Sequence, residues 1–167
     1  MNLTDALILL PVLLLFLALL YRRKLAAKPQ DRETVPRRGI AVDGSNVMHW
    51  GGDPSLQTVS RVVAALEGKD LAPIVFFDAN VGYKVDDRYY SESDLAGVIG
   101  LPERQICVVH KGVVADEWLL AFATDHKLRI VTNDRFRDWR VQFPIAAEKG
   151  RLVQGEWRSG TVVFRNL

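Results

Sequence analysis

Five residues of this chain have the types and spacing to handle charged oxygens: Asp43, Asn46, Asp116, Glu117 and Asp134. Asp43 closes the apolar run Ile40-Ala41-Val42 and leads into Gly44-Ser45-Asn46. Asp116 and Glu117 open an amphipathic stretch, and Asp134 follows the run Leu128–Thr132 through Asn133. Carboxylates gathered in one place repel one another, and the usual remedies are a shared proton or a divalent cation. A donor set of hard oxygens without His or Cys favours Mg²⁺ or Mn²⁺ over zinc. Such an ion polarises a phosphoryl oxygen and acidifies bound water, the two requirements of phosphodiester hydrolysis. Asn46, three residues past Asp43, is spaced to orient a water or a phosphate oxygen, and Ser45 offers a second oxygen without bulk. Cations stand nearby: Arg135, Arg137 and Arg140 follow Asp134, and Lys111 precedes Asp116. Together they form a set able to hold a polyanion.

Each acid also has a plainer reading. Asp116 is a good helix N-cap, Asp134 a good turn former, and Glu117 gains from the helix dipole without touching an ion. Asp78, which ends the run Pro73–Asp78, reads as closing a turn with Asn80 and is left out of the expected site. Trp139, among the arginines, is a core residue or a surface on which a base stacks. The acids stand out because they share one edge of one expected sheet.

That sheet follows from the patterning. Strands are expected at Gly39–Asp43, Pro73–Asp78, Gln105–His110 and Leu128–Thr132, as continuous apolar runs of the kind that helices cover on both faces. Helical spacing is read in Leu56–Glu67, Ser91–Ile99 and Ala115–His126. Strand-helix alternation of this sort predicts an α/β domain with a mainly parallel sheet flanked by helices. In such sheets functional groups collect at the carboxyl ends of the strands. The tail, Arg151–Val153 and Thr161–Phe164, is expected to add a strand or hairpin.

Composition narrows the class. The 167 residues are 49% hydrophobic and 25% charged with a net charge of +2, which suits one globular domain with a segment left over. The single Cys107 lies in an apolar run and can form neither an internal disulfide nor a zinc set. The extra segment is residues 1–21. Ala6 to Tyr21 carries no charge and is followed at once by Arg22-Arg23-Lys24. Its length is close to the roughly 20 residues that cross hydrocarbon. Basic residues after the run, rather than before it, favour a single-pass anchor over a cleaved signal peptide, with the N-terminus outside and the catalytic domain cytoplasmic. Residues 22–38 read as a basic, polar linker, and residues 39–167 as the folded domain.

Three motifs in order carry a further resemblance: Val42-Asp43-Gly44-Ser45-Asn46-Val47, Ala115-Asp116-Glu117, and Val131-Thr132-Asn133-Asp134 followed by Phe136-Arg137-Asp138. Residues 38–143 resemble the NYN branch of the PIN-like nucleases, and within it the Regnase-type ribonuclease domain. The resemblance implies a PIN-like sheet and a metal-dependent endoribonuclease acting on RNA, single-stranded by preference. It implies that Asp43, Asp116 and Asp134 are metal-site acids bound to Mg²⁺ or Mn²⁺, with Asn46 shaping the site and Arg137 touching substrate. Glu117 stands where the relatives carry a second Asp, and no CCCH zinc finger is present. Glu117 is accordingly expected at the metal, and Arg135, Ser45 and Lys111 beside Arg137 at the substrate. RNA and the membrane are the expected partners, and a homodimer is admitted.

Other classes fit less well. An RNA-binding module that has lost catalysis shares the motifs and takes Glu117 as its sign. A von Willebrand-type adhesion site needs a hydroxyl at position 47, which Val47 lacks. A nicotinamide or nucleoside-triphosphate enzyme needs a Gly-rich phosphate loop after the first strand, and none is there.

Overall fold

The computed structural model describes residues 35–167. The expected membrane anchor and most of the expected linker lie outside the described residues. Among those described, no helix is long and apolar enough to cross a membrane.

Six strands form one sheet: β1 (Gly39–Asp43), β2 (Ala72–Phe77), β3 (Ile106–Val108), β4 (Ile130–Val131), β5 (Leu152–Arg158) and β6 (Thr161–Arg165). Their order is β3-β2-β1-β4-β5-β6, parallel except for the β5–β6 hairpin. Among the described residues five α-helices accompany them: α1 (Gly44–Val47), α2 (Leu56–Glu67), α3 (Val81–Val85), α4 (Glu92–Ile99) and α5 (Ala115–Asp125). The chain builds β1, β2 and β3 in one direction, then crosses back so that β4 pairs on the far side of β1. This crossover opens a crevice at the carboxyl ends of β1 and β4.

Alternation along the strands sorts side chains between two cores. Ile40 and Val42, Val75 and Phe77, Ile106 and Val108, Val131 and Val153 pack on one face with α2 and α4. Ala41, Ile74, Phe76, Cys107, Ile130 and Leu152 lie on the other with α5. The period of two has a direct consequence. Asp43, Asp78 and Thr132, each one residue beyond a side chain of the first core, must lean toward the face covered by α5.

The helices form for identifiable reasons. In α2, Leu56, Val59, Val62, Val63 and Leu66 are buried on one stripe. Ser91 is not in α4 but caps it, accepting from the Asp94 N–H, while the Asp94 carboxylate accepts from the Ser91 N–H. That is a reciprocal cap. Cys107 is buried, as its apolar run indicates.

One expectation changes. β3 and β4 are shorter than their apolar runs, with only three and two ladder residues. Flanking backbone bonds, Val109 N to Phe77 O and Thr132 N to Val153 O, carry the alignment slightly further. The tail is a full hairpin, with β5 pairing parallel to β4 before turning into β6. Residues 44–47 form a short helix. Gly44 is needed there for space, since a Cβ would stand 2.5 Å from Cε1 of Phe77 and 2.8 Å from Cγ1 of Val75.

Candidate active site

Asp43 is the centre of the crevice and is 7% exposed. Its Oδ1 accepts from the Asn46 N–H at 3.0 Å, so it caps α1. Its Oδ2 accepts from the Thr132 hydroxyl at 2.9 Å, across the β1–β4 pair. Burial pushes this carboxyl up to about 7. The two hydrogen bonds oppose that rise, and the negative charges of Asp116 and Asp78 add to it.

Asp116 enters from the first turn of α5, half-buried over the same face. Burial raises its carboxyl, the charges of Asp134 and Asp78 raise it further, and a hydrogen bond from the Trp139 side chain acts the other way. Asp134 is exposed just past β4. Its N–H donates to Thr132 Oγ1 at 3.0 Å, and its Oδ1 accepts from the Phe136 N–H at 2.8 Å. Phe136 is 2% exposed and has φ 45°. A bulky residue in the left-handed region is strained. Here the ring is anchored in the second core, and the turn brings Trp139 back toward Asp116.

The acids brought together are therefore Asp43, Asp116, Asp134 and Asp78. Asp78 belongs in this set, contrary to its reading as a turn former. Its N–H donates to Ser45 Oγ at 2.9 Å, and its carboxylate meets Lys84 Nζ at 3.4 Å. Its sequence signal, an acid ending an apolar run, was the same as that of Asp43.

Other expected residues have different duties. Asn46 is a staple: its Oδ1 accepts from the Trp50 indole N–H at 3.0 Å and from the Asn133 N–H at 2.9 Å. Those two donors fix the oxygen inward, leaving its Nδ2 as the group that can meet a water or phosphate. Ser45 holds the end of β2 through Asp78. Glu117 turns aside and accepts from Gln142 Nε2 at 3.1 Å. Neighbouring residues on a helix point about 100° apart, and in this structure Glu117 points away from Asp116. Trp139, half-buried, packs on Phe143 with ring centroids 6.0 Å apart. Arg135, Arg137 and Lys111 are exposed and enter no ion pair among the described residues.

Two residues that sequence reasoning missed complete the site. Thr132, fully buried, ties β4 to Asp43. The Asn133 side chain imitates a strand backbone: its Nδ2 donates to Gly155 O at 2.8 Å and its Oδ1 accepts from Gly155 N at 3.1 Å. That extends the β4–β5 ladder by one rung and fixes the base of the loop bearing Asp134.

The donors are all hard oxygens, and Asp43, Asp116 and Asp134 have no ion-pair partner among the described residues. This chemistry suits a hard divalent cation. The arrangement is open: among the described residues, no three acidic, imidazole or thiol groups converge enough to hold an ion.

The fold is a mostly parallel α/β sheet flanked by helices, with acids grouped at its central crossover. Residues 36–164 match the Zc3h12a-like ribonuclease NYN domain, and the chain belongs to that family. No curated protein matches the chain. Among solved structures it is similar to Arabidopsis thaliana nuclear protein-only RNase P 2 (PRORP2), with a TM-score of 0.63 and 16% identity over 98% of this chain and 37% of the other. A crystal structure of nuclear proteinaceous RNase P 2 from A. thaliana gives a TM-score of 0.59 and 17% identity, over 79% and 30%. These likenesses are of fold, and the chain spans about a third of the length of those proteins.

Proposed function

We propose that the domain is a divalent-metal-dependent endoribonuclease tethered to the cytoplasmic face of a membrane. One observation supports it above the others: four carboxylates near enough to shift one another's ionisation line the sheet crossover of a chain from a ribonuclease family. Asp43, Asp116 and Asp134 are the residues that would hold Mg²⁺ or Mn²⁺. When bound, the ion supplies Lewis acidity toward a phosphoryl oxygen and a more acidic water. Thr132 and the Asn46 N–H fix the Asp43 carboxylate, so the deepest ligand is oriented beforehand. Arg135 and Arg137, exposed and uncommitted beside Asp134, hold the phosphates of the strand, with Lys111 near the start of α5. The charge-free run Ala6–Tyr21, with Arg22-Arg23-Lys24 after it, supports the tether.

A second reading, an RNA-binding module without catalysis, is favoured by the open arrangement of the acids and by Glu117 turning to Gln142. The full chain in detergent, given labelled single-stranded RNA with Mn²⁺ or with EDTA, separates the two. We expect cleavage only with Mn²⁺, and a loss on the order of a hundredfold or more in Asp134→Asn, comparable to deleting one charge-stabilising group. RNA binding without cleavage under both conditions gives the second reading; cleavage that persists in EDTA removes the first.

A further inference from the structure

The loop that leaves β2 is built with more order than a connector needs. Gly82 packs so closely on the returning chain that a Cβ would stand 2.2 Å from Arg88 O and 2.5 Å from the Tyr90 ring. Tyr90 is buried, and its hydroxyl donates to Asp86 Oδ2 at 3.0 Å. Arg88 donates to that same oxygen at 2.8 Å and stands 4.4 Å from the centroid of the Tyr90 ring. Yet the residues adjoining these contacts, Tyr83 and Tyr89, are each 57% exposed. Two large aromatic side chains are thus presented to solvent by a braced segment.

Their direction follows from α3. Val81 and Val85 pack toward the core shared with α2 and α4. Tyr83 therefore occupies the opposite side of the helix, and Lys84, about 100° further round, lies on its flank. Lys84 reaches Asp78, so that flank faces the rim of the acid cluster, with Tyr83 next to it. The strand order places the end of β2 on one side of Asp43 and the end of β4, with Arg135 and Arg137, on the other. A polyanion laid across the acids thus meets arginines at one end and Lys84, with Tyr83 next to it in the helix, at the other.

We infer that Tyr83 and Tyr89 form a base-stacking platform for single-stranded RNA crossing the acid cluster. This rests on reading that cluster as an RNA site. Exposed aromatic faces interleaved with cations are what unpaired nucleotides need: bases stack on the rings while the ammonium holds the backbone. A duplex keeps its bases stacked internally and gains nothing from the platform. Tyr83 and Tyr89 thereby select single strands, and Lys84 adds a phosphate contact without sequence preference.

Binding of labelled single-stranded RNA to the full chain in EDTA tests the platform separately from cleavage. Tyr83→Ala and Tyr89→Ala should each weaken binding at least about fivefold, the lower end of what one stacked base contributes. Tyr→Phe at either position should stay within about twofold, because the ring remains. Neither Ala variant should alter the salt dependence, whereas Lys84→Ala should lower its slope by about one phosphate contact. Affinity unchanged in both Ala variants, Phe variants as weak as Ala, or an equal loss for duplex RNA would each overturn the platform. Tyrosine-dependent binding with no cleavage in Mn²⁺ would support the platform and overturn the nuclease. No RNA binding by the unaltered chain would overturn both.

Discussion

At Asp43, burial and ion binding ask for opposite protonation states. The unfolded carboxyl ionises near its ordinary value of 3.8, while burial holds the folded one at about 7. Between these values the folded state binds more protons, so this group's contribution to stability falls as pH rises and levels off above 7. With about 1.4 kcal/mol per unit, the penalty at pH 8 is on the order of 4 kcal/mol at most. Asp43→Asn should therefore raise the melting temperature of the metal-free protein, more at pH 8 than at pH 5, while abolishing Mn²⁺-dependent cleavage. Adding Mn²⁺ should narrow the gap, because the ion stabilises only the ionised form. A variant less stable than the parent at pH 8 would refute the account. Around Asp43, the acids Asp116 and Asp134 were legible because a carboxylate after an apolar run is conspicuous. Asp78 was not separable from a turn former, since both roles use the same residue at the same place. Glu117 was read toward the cluster from the resemblance, and in this structure its carboxylate accepts from Gln142 instead.

The elements supply positions that no single residue commands. Helix α1 begins against β2 with no room for a side chain at Gly44, and it presents the Asn46 N–H to Asp43. Gly44→Ala must push Phe77 or Val75 aside and should destabilise by about 1–3 kcal/mol, as overpacking does. Denaturant unfolding measures this, and a change below about 0.5 kcal/mol, the level of an ordinary surface substitution, would show that α1 has slack. β1 and α2 were readable to the residue, because a buried strand run and a helical stripe are strong local signals. β4 was not: its two ladder residues sit inside a longer apolar run, and the side chain of Asn133 does the pairing that backbone was expected to do.

For the whole molecule, the decisive feature is the crossover that returns the chain from β3 to β4 beside β1. It brings Thr132 within 2.9 Å of Asp43 although 89 residues separate them. The proposed tether acts at the same scale, keeping the site near the membrane surface and its basic linker near anionic lipid. Removing residues 1–21 should shift the protein from the membrane to the soluble fraction of a sedimented extract and leave cleavage of added RNA within about twofold, since no residue of the site is lost. A deletion variant that still sediments with membranes would rule out the anchor.

The sequence by itself determined the α/β class, the family, and three of the four clustered acids, because apolar runs, helical stripes and acids at strand ends are local patterns. Only the tertiary structure decided which neighbours share a face. The period of two along β1, β2 and β4 aimed Asp43, Asp78 and Thr132 toward α5. Helical rotation turned Glu117 away, and a strained turn at Phe136 carried Trp139 back to Asp116. Those outcomes depend on contacts between residues far apart in the chain, and local patterning carries no record of them.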